Sequence, residues 1–196
     1  MSSSSELVRF VVILAGASRA GKNCLVGRFA YNKMDMEYDP TVEDYFTVYK
    51  TVDGKDVAFD MMTCSIEDEF MRGYRLQPVG RGKRGVMLVF DITNRSSFDD
   101  LKEFCSKLDT YTHEVIADTP MVVVGSKLDL ADKRAVQIDE ARTFAESLGC
   151  RYMEASAETK ENLDEVFFEV YRASLSKNNE ESDDESKKKD KKCLLM

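Results

Sequence analysis

The sequence holds a single histidine, His113, without nearby ligand partners, so histidine-based catalysis is not expected. It also lacks any Cys-x-x-Cys pair. Its five cysteines (Cys24, Cys64, Cys105, Cys150 and Cys193) are odd in number and widely scattered, which argues for reduced thiols and against a disulfide frame or a zinc site. No apolar run approaches the length of a membrane span. The serine-rich start, Met1 to Ser5, has neither the basic nor the apolar region of a signal peptide. The expectation is a protein made and kept in the cytosol. A basic excess is missing as well: the formal net charge is −8. Residues 177–192 contain six lysines and six acids, so the tail is neutral and the body carries the whole −8. An acidic body disfavours general nucleic-acid binding, and no nucleic-acid partner is expected.

What is present suits one domain with a substantial core and a tail, at 196 residues with 43% hydrophobic and 33% charged content. Residues 7–15 read as a buried strand and 21–31 as a helix. Asp44 to Val52 and Lys55 to Met62 read as strands around an Asp53-Gly54 hairpin turn. Thr63 to Arg84, with Gly73, Pro78, Gly80 and Gly82, reads as an irregular loop. Gly85 to Ile92 is a buried strand. Ser97 to Tyr111 is a helix, with Phe98, Leu101, Phe104 and Leu108 at helical spacing. Met121 to Gly125 and Arg151 to Ala155 are short strands. Asp139 to Leu148 is a helix closed by Gly149, and Asn162 to Ser174 is a final amphipathic helix. Strands alternating with helices, apart from one hairpin, predict an α/β fold with a mostly parallel sheet covered on both faces. Ligands in such sheets bind beyond the carboxyl ends of the strands.

The first strand runs into Gly16-Ala17-Ser18-Arg19-Ala20-Gly21-Lys22-Asn23, which opens into the 21–31 helix through Cys24, Leu25, Val26 and Phe29. Strand, glycine-bounded loop with lysine, then helix is the context of a phosphate-binding P-loop. Gly16 and Gly21 let the backbone curl so that successive N–H groups face an anion. Lys22 adds a positive charge for the outer phosphates, and the helix dipole reinforces it. The last position asks for a serine or threonine hydroxyl on Mg²⁺; here it is Asn23.

Further motifs turn this loop into a family resemblance. Tyr38-Asp39-Pro40-Thr41-Val42-Glu43-Asp44, continuing into Tyr45 and Phe46, resembles the first switch, or effector loop, of Ras-family small GTPases of the Ras and Rap branch. Gly125-Ser126-Lys127-Leu128-Asp129 resembles their guanine-recognition motif, and Glu154-Ala155-Ser156-Ala157 their second base-binding loop. The order and spacing match throughout residues 7–176, leaving 1–6 as an extension and 177–196 as a tail. The resemblance implies a single P-loop NTPase domain of small G protein type, with a six-stranded, mostly parallel sheet, one antiparallel hairpin strand and helices on both faces. It implies GTP and GDP as ligands with Mg²⁺, and effectors, an exchange factor and an activating protein as partners.

In that resemblance Asp129 accepts two hydrogen bonds from the N1–H and 2-amino group of guanine, which adenine cannot offer. Lys127 lies along the base and braces the P-loop. Ser126 stands where the family usually has asparagine, which shortens one brace and leaves the selective contact in place. Ser156 and Ala157 supply a backbone N–H to the guanine carbonyl, Glu158 replaces the lysine that normally follows, and Met34 replaces the aromatic that flanks the base. Read without the family, Asp129 is a loop cap and Ser156 a helix N-cap.

The phosphate end departs further. Asn23 puts an amide where a hydroxyl should reach Mg²⁺, and magnesium tolerates little departure from octahedral geometry at about 2.1 Å. Thr41, the other metal-binding hydroxyl, is intact. The second switch aligns as Thr63-Cys64-Ser65-Ile66-Glu67: the carboxylate that holds metal water is gone, Ile66 replaces a glycine whose N–H meets the γ-phosphate, and Glu67 stands where a glutamine would orient water. Ser18 and Arg19 occupy positions that are glycines in the Ras branch, and Arg19 reads either as an internal arginine finger or as a solvated loop residue. Each lost electrostatic element is typically worth about 2.7–4 kcal/mol, or a factor of about 100–1000 in rate. Hydrolysis and the Mg²⁺ site are therefore expected to be weak.

The tail is polar and aperiodic, hence expected to be disordered. It ends Lys187-Lys188-Lys189-Asp190-Lys191-Lys192, then Cys193-Leu194-Leu195-Met196. This is a prenylation box with Met favouring farnesyl on Cys193, beside lysines worth about 1 kcal/mol each near an anionic leaflet. Anchoring to the cytoplasmic face of the cell membrane follows as an expectation. Two readings of the whole stand side by side: a membrane-anchored GDP/GTP switch, or a non-catalytic module presenting a Ras-type effector loop with its nucleotide fixed or absent. An ATP-using P-loop kinase is disfavoured by Asp129 and by the lack of a lid-like arginine cluster.

Overall fold

Strand β1 (Val8–Gly16) is apolar on both sides because both sides are covered. Phe10, Val12 and Leu14 point into one core and Ile13 and Ala15 into the other. The computed structural model describes residues 7–34, 45–66, 83–111 and 119–176. The expectations resting on Tyr38–Asp44, Glu67, His113, Cys193 and the tail lie outside the described residues.

After β1 come α1 (Lys22–Tyr31), β2 (Tyr45–Val52), β3 (Lys55–Ser65), β4 (Lys83–Asp91), α2 (Arg95–Tyr111), β5 (Met121–Ser126), α3 (Ile138–Ser147), β6 (Arg151–Ala155) and α4, a helix over residues 163–176. A 3₁₀ segment, Leu128–Lys133, lies between β5 and α3. The sheet has six strands in the order β2-β3-β1-β4-β5-β6. All neighbours are parallel except β2 and β3, which pair as an antiparallel hairpin. Its turn is Asp53-Gly54, both with positive φ (50° and 78°), the backbone that matches the twist of two paired strands. The expected architecture is therefore the observed one.

Helices α1 and α4 cover one face, where Leu25, Val26 and Phe29 meet Leu163, Val166 and Phe167. The Phe29 and Phe167 rings stack at 4.0 Å. Helices α2 and α3 cover the other, through Phe98, Leu101, Ala141 and Ala145. Each such aromatic or leucine side chain contributes about 1.5–3 kcal/mol by leaving water. Gly149, at φ 66°, closes the turn after α3 by donating its N–H to Glu146 O, as expected of a helix-ending glycine.

The loop expected over Thr63 to Arg84 is corrected at both ends, and β4 already begins at Lys83, where Lys83 and Arg84 pair with Phe10 and Val11 of β1. The third strand does not stop at Met62: Thr63, Cys64 and Ser65 continue β3 and pair with Leu14, Ala15 and Gly16. Polar Thr-Cys-Ser gives no strand signal of its own. Pairing to the neighbouring parallel strand holds these residues extended, and the buried Cys64 thiol adds a bond to Leu14 O.

Tyr171 on α4 is 1% exposed and packs edge-on against Phe10, yet its hydroxyl finds no hydrogen-bond partner among the described residues. An unpaired buried hydroxyl costs about 1–3 kcal/mol. Tyr171→Phe is expected to stabilise the domain by about 1 kcal/mol, read as a higher urea midpoint at unchanged slope. A lower midpoint would mean that the hydroxyl is paired in solution.

Candidate functional site

Four of the five parallel strands, β1, β3, β5 and β6, deliver the segments of interest at one edge of the sheet, beyond their carboxyl ends. β1 ends at Gly16, where the loop to α1 begins. Gly16 has no room for a side chain: a Cβ there would lie 2.1 Å from Val89 O on β4. Gly21, at φ 87°, turns the chain into α1, and its carbonyl accepts the N–H of Leu25 at 3.0 Å. No side chain caps that helix start and no acid lies in its first turn. Its first amides and the dipole are thus compatible with an anion.

Lys22 is only 8% exposed, and its ammonium donates to Gly16 O (2.8 Å) and Ala17 O (2.7 Å). The lysine thereby holds the loop closed on itself with its charge inside the cradle. Ala17 and Ala20 are buried, while Ser18 and Arg19 face solvent. Arg19 adopts φ 63°, a left-handed conformation that suits glycine better. Asn23 lies half-buried on the first turn of α1, beside Cys24.

The end of β3 runs along this loop. Ile66 donates its N–H to Gly16 O at 3.2 Å, and the Ser65 and Ser18 hydroxyls lie 3.5 Å apart. The amide that the family resemblance aims at a γ-phosphate is thus engaged by the loop carbonyl.

At the other end of the edge, β5 leads into Ser126, Lys127 and Asp129. Buried Ser126 donates its hydroxyl to Ala20 O at 2.6 Å, tying this segment to the phosphate loop. This is the shortened brace expected at this position. Lys127, also expected to brace the loop, adopts φ 63° and places its ammonium 2.6 Å from Asp91 at the end of β4. Asp91 is 5% exposed. Burial alone would raise its pKa, but the Lys127 ammonium and the Thr93 hydroxyl and amide outweigh it and hold the carboxyl below its usual range.

Asp129 accepts the Ser156 hydroxyl at 2.5 Å, and that oxygen in turn accepts the N–H of Thr159 at 3.1 Å. One carboxylate oxygen of Asp129 is thus fixed from behind. Gly21, Cys24, Leu25, Met34, Ser126, Lys127, Asp129, Ala157 and Glu158 line a single cavity of about 150 Å³. The structure therefore brings the loop's helix start, both base-recognition segments and Met34 around one hollow.

Three supports escaped the sequence reading: Asp91, the Arg134–Glu154 pair and Arg28. The Arg134 guanidinium bonds Glu154 through both nitrogens (2.6 and 2.8 Å), fastening the chain after Asp129 to the strand before Ser156. Burial pushes the Glu154 carboxyl up, but Arg134 and the Tyr152 hydroxyl outweigh it and lower its pKa. A charged Asp91 closing an otherwise apolar strand was the only one of these with a sequence signal.

The cradle fits a phosphate chain: it offers a closed ring of backbone, one buried cation and a helix start without a competing acid. The cavity beside it carries a fixed carboxylate suited to paired N–H donors. For magnesium, the described residues contribute the Asn23 amide, with Thr41 outside them. Fold and site together define a P-loop nucleotide-binding domain.

The chain matches the Ras family over residues 11–176. It is 33% identical to Ras-related protein Ral-B of Mus musculus over 190 residues, covering 97% of this chain and 91% of the relative. It is 34% identical to Ras-related protein ralB-B of Xenopus laevis and 33% identical to Ras-related protein O-RAL of Diplobatis ommata, each over 178 residues, 91% of this chain and 85% of the relative. The chain belongs to the Ras family of small GTPases, which bind GTP and GDP and act as signalling switches.

Proposed function

We propose that this protein is a membrane-anchored guanine-nucleotide switch whose intrinsic GTP hydrolysis is weak. The observation that carries the nucleotide assignment is Asp129, held by Ser156 and facing the same cavity as the start of α1. Its second oxygen and the cavity shape suit the N1–H and 2-amino group of guanine. Lys22 and the amides of the loop take the phosphates. Magnesium, when bound, would neutralise phosphate charge, with Asn23 and Thr41 as its protein donors.

Weak hydrolysis is supported by Thr63 in place of the metal-water carboxylate and by the Ile66 amide, which bonds Gly16 O and so does not point to a γ-phosphate. Single-turnover hydrolysis of GTP by the purified chain is expected to run well below a Ral relative assayed in parallel. A rate equal to the relative's, or strong stimulation by an activating protein, would overturn this part. The switch reading is preferred to a module with fixed nucleotide because the Ras-family match spans both base motifs and the phosphate loop.

Effector proteins would meet the chain along Tyr38–Phe46, and an exchange factor would reload it. Attachment to an anionic membrane surface on the cytoplasmic side would come from a prenyl group on Cys193 with the neighbouring lysines. No helix among the described residues is long and apolar enough to cross a membrane. Cys193→Ser is expected to move the protein from the membrane to the soluble fraction of cells. An unchanged membrane fraction would show that the anchor lies elsewhere.

A further inference from the structure

The two walls of the base cavity belong to elements far apart in the chain. Met34 follows the end of α1, and Glu158 follows β6. Arg28, in the last turn of α1, bonds the main chain of Glu158 on one wall and that of Asn32, two residues before Met34 on the other. Its Nη1 donates to Asn32 O at 3.1 Å and its Nη2 to Glu158 O at 3.1 Å. Asn32 is the left-handed C-cap of α1 (φ 58°), so it directs the chain toward Met34. The Nε of Arg28 is buried without a partner among the described residues, and the guanidinium is held in place there through its two terminal nitrogens.

We infer that Arg28 is a clasp that holds the Met34 and Glu158 walls of the cavity together and so sets how long a guanine nucleotide is retained. The inference rests on the nucleotide-binding reading above and adds to it a residue that does not line the cavity. A planar fork reaches two carbonyls at once, which a lysine ammonium on a flexible stem does less well. Both acceptors are main-chain oxygens, so the clasp acts on the position of the walls and not on any neighbouring side chain. The loop after β6 has other ties: Ser156 N–H to Glu161 O, Thr159 N–H to the Ser156 hydroxyl, and the Asn162 amide to Glu154 O. Without Arg28 that loop stays folded and Asp129 stays fixed, but the Met34 side is no longer strapped to it. Release should therefore quicken for every guanine nucleotide while the preference for guanine over adenine is untouched.

The test uses the full chain loaded with a fluorescent GDP analogue, measuring dissociation for the parent, Arg28→Ala, Arg28→Lys and Arg172→Ala. Arg172 makes ion pairs with Asp53 and Glu165 away from the cavity and controls for loss of a surface arginine. Arg28→Ala is expected to release the analogue about tenfold faster and Arg28→Lys to fall between it and the parent. Arg172→Ala should match the parent, and the preference for GDP over ADP should hold in all four. Hydrogen exchange should quicken together at residues 32–34 and 157–161 in Arg28→Ala, with the strands unchanged. Release within about twofold of the parent, or an equal effect from Arg172→Ala, overturns the clasp. If Arg28→Ala does not fold, Arg28→Lys decides by the same release criterion. If the parent holds no guanine nucleotide, the proposed function falls, and unchanged exchange at the two walls then overturns the clasp as well.

Discussion

Asp129→Ala is expected to lower GDP affinity by about 10²–10⁴-fold, the loss of two charge-assisted hydrogen bonds worth about 1.5–3 kcal/mol each. The fold should survive. Within the protein Asp129 accepts the Ser156 hydroxyl, and that hydroxyl oxygen keeps the Thr159 N–H. Affinity for ADP, already low, should barely change, so the preference for guanine collapses with the affinity. Equilibrium titrations of parent and variant with both nucleotides measure this directly. A variant that still prefers GDP strongly would show that another group reads the base.

Gly16→Ala should act on stability first. A methyl group there would lie 2.1 Å from the carbonyl oxygen of Val89, and backbone of a central strand cannot step aside like a side-chain tip. β1 would have to part from β4, disturbing both cores and the Lys22 bonds to Gly16 O and Ala17 O. A loss of about 3 kcal/mol, the upper end for an overpacked site, is expected, a large fraction of the about 5–15 kcal/mol that holds a domain together. Urea unfolding of the nucleotide-free chain reads it. A loss below about 1 kcal/mol would mean that the two strands have slack.

Most of the frame was legible from residue order. The continuous apolar runs of β1 and β4, the helical spacing of Phe98 and Leu101, and the Asp53-Gly54 turn are local signals, and each marked its element. Gly16, Gly21 and Lys22 were legible because a phosphate loop constrains spacing within one short segment. What was hidden depends on pairing between distant segments. Thr63-Cys64-Ser65 are strand only because Leu14-Ala15-Gly16 lie beside them. Lys127 turns to Asp91, and Arg134 to Glu154, through ion pairs that leave no periodic trace. The pairing of Lys127 with Asp91, in place of a brace to the phosphate loop, follows from the same limit. A short serine hydroxyl still reaches Ala20 O when folded against it, but nothing in the local sequence says where the lysine goes.

The placement of the site beyond the strand ends has a bearing on how such a protein can change. Both apolar interiors close beneath the loops, and Ser18 and Arg19 face solvent without carrying helix or sheet. Substitutions at these two positions can therefore change the loop while leaving the architecture standing. The segments around the base-reading end, by contrast, are sewn into the body through Ser126, Asp91 and Arg134. The phosphate side of the hollow can drift at its exposed positions while the frame that carries Asp129 stays anchored.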